Sequence, residues 1–111
     1  METILIVDDN KDMQFTLANI LKEEGYETIT ALDGERAIKE VKARAPNLVL
    51  LDIKLPGMDG MRILKEMKNI DKEVIIIMLT AYGDVKGAVE AMRLGAFDYI
   101  TKPFNNEELA L

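Results

Sequence analysis

The chain predicts an α/β fold, a doubly wound sheet of five parallel strands with helices on both faces. Three observations carry that prediction. Apolar runs of strand length alternate with stretches of helical periodicity five times over within 111 residues. Two of the runs, residues 48–51 and 74–79, contain no polar side chain, as a strand covered on both faces requires. No repeat, linker or low-complexity segment interrupts the alternation, and the length suits one domain.

Each element has its own signal. Thr3-Ile4-Leu5-Ile6-Val7 is a β-rich run ending at Asp8-Asp9-Asn10. Met13, Leu17, Ile20 and Leu21 then recur at helical spacing, and Gly25 supplies the stop. Glu27 to Ala31 reads as a more polar strand nearer an edge, broken by Asp33-Gly34. A second helix carries Ala37, Ile38 and Val41 and ends before Pro46, whose ring disfavours helical geometry in the preceding residue. Asn47 to Asp52 is the central strand, and Pro56-Gly57 and Asp59-Gly60 turn the chain behind it. Met61, Leu64 and Met67 mark a third helix, and residues 74–79 a fully buried fourth strand ending at Thr80-Ala81. Asp84 caps a fourth helix through Val85, Ala88, Val89 and Met92 to Gly95, with a lighter apolar face than the others. Phe97-Asp98-Tyr99-Ile100 is the last strand. Asn105 to Glu108 begin a fifth helix that looks truncated at Leu111. Right-handed crossovers and the flavodoxin-like order 2-1-3-4-5 set the first and third strands side by side.

Composition removes whole classes of chemistry. The net charge of −6, from 20 acidic and 14 basic residues, argues against this domain gripping nucleic acid. With no cysteine and no histidine, disulfides, the usual zinc ligands, a catalytic triad and a histidine phosphocarrier are excluded. No apolar run nears the ~18–20 residues of a membrane span, and the start Met1-Glu2-Thr3-Ile4 lacks the basic residues of a signal peptide. The cytoplasm is the expected location. Carboxylate chemistry remains, and it favours a hard cation held by oxygen, such as Mg2+.

That chemistry converges on one sheet edge. Ligands of open α/β sheets bind at the carboxyl ends of the strands. The first strand brings Asp8 and Asp9 there, the third Asp52, the fourth Thr80 and the fifth Lys102. Three carboxylates in reach of one another repel unless a cation joins them or one stays protonated. Mg2+ resolves the conflict, with Asp9 and Asp52 as direct ligands, Asp8 through water, and the backbone carbonyl of Lys54 as a further ligand. Phosphoryl transfer needs in-line geometry and neutralised equatorial oxygens. The cation would take one oxygen, the Lys102 ammonium another and the Thr80 hydroxyl the third, with Asp52 as nucleophile. Singly, each residue has a plainer reading. Acidic pairs after strands cap helices, Thr80 forms a turn, Lys102 is a solvated charge, the methionines fill core, and Tyr99 is a strand residue with its hydroxyl at the surface. Their conjunction on one edge, in this order, favours chemistry.

These residues resemble the receiver domain of two-component response regulators. Ile4-Leu5-Ile6-Val7-Asp8-Asp9 looks like that family's opening acidic pair, and the segment from Leu50 through Asp52 to Gly60 like its phosphoacceptor segment. Leu79-Thr80-Ala81 and Tyr99-Ile100-Thr101-Lys102-Pro103-Phe104 match its switch threonine and its lysine with the following proline. Thr80-Ala81-Tyr82-Gly83-Asp84 and Ala91-Met92-Arg93-Leu94-Gly95-Ala96 further resemble receivers attached to sigma-54-dependent transcription activators. The resemblance implies residues 1–111 as one receiver domain with the effector domain absent. It implies a phosphoryl group accepted from a phosphohistidine of a sensor histidine kinase, a cis Lys102-Pro103 peptide, and a phosphoacceptor rather than a turnover enzyme. Phosphate on Asp52 would draw Thr80 inward and let Tyr99 rotate inward. The surface of the fourth helix, fifth strand and fifth helix would then change, for use in homodimerisation and transcription regulation. Lys54 and Tyr82, two residues beyond Asp52 and Thr80, would shield the acyl phosphate from water.

Three rivals make different demands. A phosphatase of the haloacid-dehalogenase type also forms an aspartyl phosphate, but it wants a second Asp two residues on, where this chain has Lys54. A flavodoxin-like cofactor binder wants Ser, Thr and Gly after the first strand, where this chain has Asp8-Asp9-Asn10. A pure interaction module has no use for the lysine.

Overall fold

Alternation along each strand divides the core in two. In the computed structural model, which describes residues 2–52, 54–55, 58–80 and 85–101 and only the backbone of 54, 55, 58, 80, 85, 86 and 101, the elements run as follows. They are β1 (Thr3–Val7), α1 (Lys11–Glu23), β2 (Glu27–Ala31), α2 (Gly34–Arg44), β3 (Leu48–Asp52), β4 (Lys54–Leu55), β5 (Met58–Asp59), α3 (Gly60–Ile70), β6 (Ile75–Thr80), α4 (Val85–Arg93) and β7 (Asp98–Thr101). Leu5, Val7, Val49, Leu51, Ile76 and Met78 face one cluster, with Ala37 and Val41 of α2, Ile63, Leu64 and Met67 of α3 and Ala91 of α4. Ile4, Ile6, Leu50, Ile77, Leu79 and Ile100 face the other, with Leu17, Ala18 and Leu21 of α1. Each such aliphatic side chain contributes about 1.5–3 kcal/mol when withdrawn from water, so the strands cannot slip without exposing a whole row.

The main sheet has the order β2-β1-β3-β6-β7, with every pair parallel. This is the expected 2-1-3-4-5 order once the antiparallel hairpin β4-β5 is set aside. That hairpin was not foreseen, because two-residue strands are too short to show a period. The fifth helix expected after Asn105 lies outside the described residues.

The connections show why helices start and stop where they do. Asn10, Asp33 and Asp59 are the N-caps of α1, α2 and α3, each side chain accepting from backbone N–H groups of the first turn. Gly25 (φ +96°) closes α1 in the left-handed region. Ala45 does the same for α2 with φ 45°, where the sequence predicted only an end before Pro46. At the opposite end of the sheet, Asn47 Oδ1 accepts from the Thr3 N–H (2.8 Å) and the Asn47 carbonyl accepts from the Ile75 N–H (3.2 Å), which ties β1 to β6 across β3.

Two expectations need correction. β6 is not covered throughout, since its first residue, Ile75, is 39% exposed. The buried stripe of α4 runs through Ala91, while Val89 and Met92, expected on the packed face, lie 46% and 49% exposed. A helix carrying two moderately apolar stripes packs on the one whose small side chains allow close approach to the sheet.

Candidate metal centre

Register brings the acidic residues level. β1 pairs with β3 through Val7 opposite Leu51, so Asp8 and Asp52 leave the sheet side by side. By alternation both follow Ile4, Ile6 and Leu50 onto the α1 side of the sheet. Carboxylate oxygens of Asp8, Asp9 and Asp52 lie within 4.8 Å of one another. Asp8 and Asp52 are buried (2% and 8% exposed), whereas Asp9 is exposed.

The local chain holds this cluster in place. Asp8 Oδ1 accepts from the Asn10 N–H at 3.0 Å. Asn10 Oδ1 in turn accepts from the N–H groups of Asp12 and Met13 at 2.9 and 3.1 Å and so starts α1. The positive end of the helix dipole therefore opens beside the carboxylates. Gln14 was missed in the sequence. It is 8% exposed, and its Nε2 donates to the carbonyls of Asp8 (3.0 Å) and Ala31 (2.7 Å). A signal for it existed: Gln14, Leu17, Ala18 and Leu21 are the buried residues of α1, at spacing i, i+3, i+4, i+7, so an amide leads an apolar stripe.

The donor set suits a divalent cation. Two buried carboxylates and a third within 4.8 Å cost free energy through mutual repulsion. All the donors are oxygens, as Mg2+ prefers, and its retained waters can complete an octahedron that three side chains do not fill.

The remaining expected site residues are placed in part. Asp52 pairs with Leu79, so Thr80 stands one step beyond it on the neighbouring strand, and Thr80 pairs with Thr101 of β7. The backbone is thus shown at Thr80, but its hydroxyl, like Lys102, Pro103 and Tyr82, lies outside the described residues. Lys54 has its backbone in the hairpin, opposite Asp59. Tyr99 is half-buried and packs against the cluster beneath α2, α3 and α4, more enclosed than a surface strand residue.

The response regulator receiver domain family matches residues 4–111. This chain belongs to that family. Sporulation initiation phosphotransferase F of Bacillus subtilis is 44% identical over 108 residues, covering 97% of this chain and 87% of the relative. The nitrogen assimilation regulatory protein NtrX of Azorhizobium caulinodans is also 44% identical, over 110 residues, but this chain spans only 24% of its length. Among solved structures, a CheY-like receiver domain protein from Methanospirillum hungatei superposes with a TM-score of 0.94 at 34% identity, covering 98% of this chain and 87% of that one. A Burkholderia pseudomallei response regulator gives 0.93 at 28% identity, covering 98% of this chain and 64% of that one. A receiver domain is a phosphoacceptor of phosphorelay signalling, paired with a histidine kinase, and not a turnover enzyme. The Asp8, Asp9 and Asp52 carboxylates lie close enough together to hold a divalent cation such as Mg2+, which fits the Mg2+-dependent aspartate phosphorylation of receivers. Nothing supports the haloacid-dehalogenase alternative, whose second aspartate is replaced by Lys54. Among the described residues no helix is long and apolar enough to cross a membrane.

Proposed function

We propose that Asp52 is the aspartate that accepts the phosphoryl group. The observation that carries this reading is the placing of a nearly buried carboxylate at the carboxyl end of the central strand, within 4.8 Å of two others. The Burkholderia pseudomallei regulator, solved with a phosphorylated aspartic acid and a calcium ion, supports it by analogy. One Asp52 oxygen attacks phosphorus, an O–P bond forms, and the donor's N–P bond breaks with its electron pair returning to the imidazole nitrogen. Bound Mg2+ supplies positive charge to the phosphoryl oxygens. Asp9 and Asp52 would hold the cation directly and Asp8 through water, with the Lys54 carbonyl as a further ligand. The Thr80 hydroxyl and the Lys102 ammonium take the other two oxygens. The test uses a small phosphodonor with Mg2+ and intact mass. One added phosphate is expected, and Asp52→Asn abolishes it; a persisting adduct in that variant overturns the assignment.

The same reading extends to output. Thr80 moves toward the phosphate, Tyr99 turns further inward, and the surface of α4, β7 and the following helix changes to favour a homodimer. About 5.5 kcal/mol of differential stabilisation spans a shift from 1:99 to 99:1. Thr80→Ala should uncouple dimerisation from phosphorylation, and unchanged coupling would sink this step. Bulk at Lys54 and Tyr82 slows hydrolysis of the acyl phosphate. Residues 1–111 act as one receiver domain in the cytoplasm. They carry the switch for an output domain regulating transcription, of the sigma-54-dependent kind, and make no nucleic-acid or membrane contact of their own.

A further inference from the structure

We propose that Gln14 is a positioning residue for the metal centre: its amide fixes the peptide joining Asp8 to Asp9 and so aims both carboxylates at one point. The proposal rests on the reading that Asp8, Asp9 and Asp52 share a cation. Its geometry is separate from theirs. The Asp8 carbonyl belongs to a planar unit that includes the Asp9 N–H. Holding that oxygen at 3.0 Å from Gln14 Nε2 sets the plane from which Asp9 departs. Ala31 closes the arrangement, because its carbonyl accepts from Gln14 Nε2 (2.7 Å) and from the Asp8 N–H (3.1 Å). Asp8 is therefore held at its N–H, its carbonyl and its carboxylate, the last by Asn10. Both donors of the Gln14 amide are used, in a side chain more than nine-tenths buried. Asp9, by contrast, is exposed, so its direction is set by the backbone it grows from rather than by packing.

A staple that merely joins α1 to β1 and β2 would make the same bonds, so the test must separate aim from stability. Gln14→Met keeps length and volume and removes both donors. Mg2+ titration of the full chain, followed by amide NMR, should show about tenfold weaker binding in this variant, the usual scale for groups that orient metal ligands. Leu21→Val, which loosens α1 without touching the Asp8–Asp9 peptide, should leave the affinity within twofold of the wild type. In the wild type, Mg2+ should shift the Gln14 side-chain amide resonances and slow their exchange with solvent. Unchanged affinity in Gln14→Met, or an equal loss in Leu21→Val, overturns the proposal. Should Gln14→Met fail to fold, Gln14 amide resonances unmoved by Mg2+ in the wild type overturn it as well. A wild type that binds no Mg2+ is a different failure, since it removes the metal reading and this proposal with it.

Discussion

Helices α2 and α4 pack on the same core cluster through small residues, Ala37 and Val41 from the first and Ala91 from the second, yet their outward faces differ. The outside of α2 is a ladder of ion pairs: Glu35 with Lys39 at 4.0 Å, and Glu40 with both Arg36 (3.5 Å) and Arg44 (3.4 Å). The Arg44 contact is an ion pair without hydrogen-bond geometry. The exposed Glu35–Lys39 pair adds at most about 0.5 kcal/mol; Glu40 is mostly buried, and the two arginines that meet its charge turn their own side chains to water. The outside of α4 instead shows Val89 and Met92, with Phe97 (66% exposed) just beyond it. A helix finished in charge has no use for a partner, whereas one left apolar loses free energy until something covers it. Of the two helices, α4 is therefore the one that suits the output face proposed above.

The largest expected effect tests that contrast directly. Met92→Glu should abolish phosphorylation-dependent dimerisation, read by light scattering with and without a phosphodonor, while changing stability by no more than about 0.5 kcal/mol. Lys39→Glu on α2 should leave dimerisation intact. A Met92→Glu protein that still dimerises on phosphorylation would erase the distinction between the two helices.

The next effect concerns how α4 is held despite its unfinished face. Lys68 Nζ donates to the carbonyls of Lys72 and Val74, both at 2.8 Å. A Cβ added to Gly95, at the end of α4, would meet the Lys68 stem at 3.2 Å. One lysine therefore seats the α4–β7 turn on the end of α3. Lys68→Met keeps the stem and removes the donor from the part-buried Val74 carbonyl, the Lys72 carbonyl being open to water, for an expected loss of about 1 kcal/mol in urea unfolding. A loss below about 0.5 kcal/mol would mean that water replaces the ammonium. On α2 the comparable anchor is its N-cap, where Asp33 accepts from the Arg36 N–H at 2.8 Å. Asp33→Ala should cost about 1 kcal/mol, and no measurable loss would show that α2 is held by its buried face alone.

What could be read in advance follows the range of the interaction. β1 and β2 were legible residue for residue, because a run of β-branched residues between turn signals is a local pattern. The acidic cluster was legible because parallel strands deliver their ends to one edge whatever the loops do. The stripe that Gln14 leads on α1 left a periodic trace, but its partner did not, since the bond to Ala31 spans 17 residues. The packed face of α4 was misjudged because Val85, Ala88, Val89 and Met92 form as good a helical stripe as the one through Ala91 does. Only the sheet decides between them.

The smallest effect lies where α2 ends. Ala45 sits at φ 45° and ψ 60°, its N–H bonded to the Val41 carbonyl at 3.1 Å, in a region that costs an L-residue roughly 1–2 kcal/mol. Pro46 explains why the helix must end there, but not why alanine rather than glycine occupies the left-handed position. Glycine removes the strain between Cβ and backbone and adds entropy to the unfolded chain, and the two terms oppose each other. Ala45→Gly should therefore stabilise by only about 0.5 kcal/mol, read as a higher urea midpoint with an unchanged slope. Gly25 and Gly95 already take this form at the ends of α1 and α4, so the reverse change, Gly95→Ala, should destabilise by more, through the positive φ and the Lys68 contact together. If Ala45→Gly destabilises instead, the left-handed cap of α2 is held by something other than its own backbone, and α2 is the more constrained of the two helices at both ends.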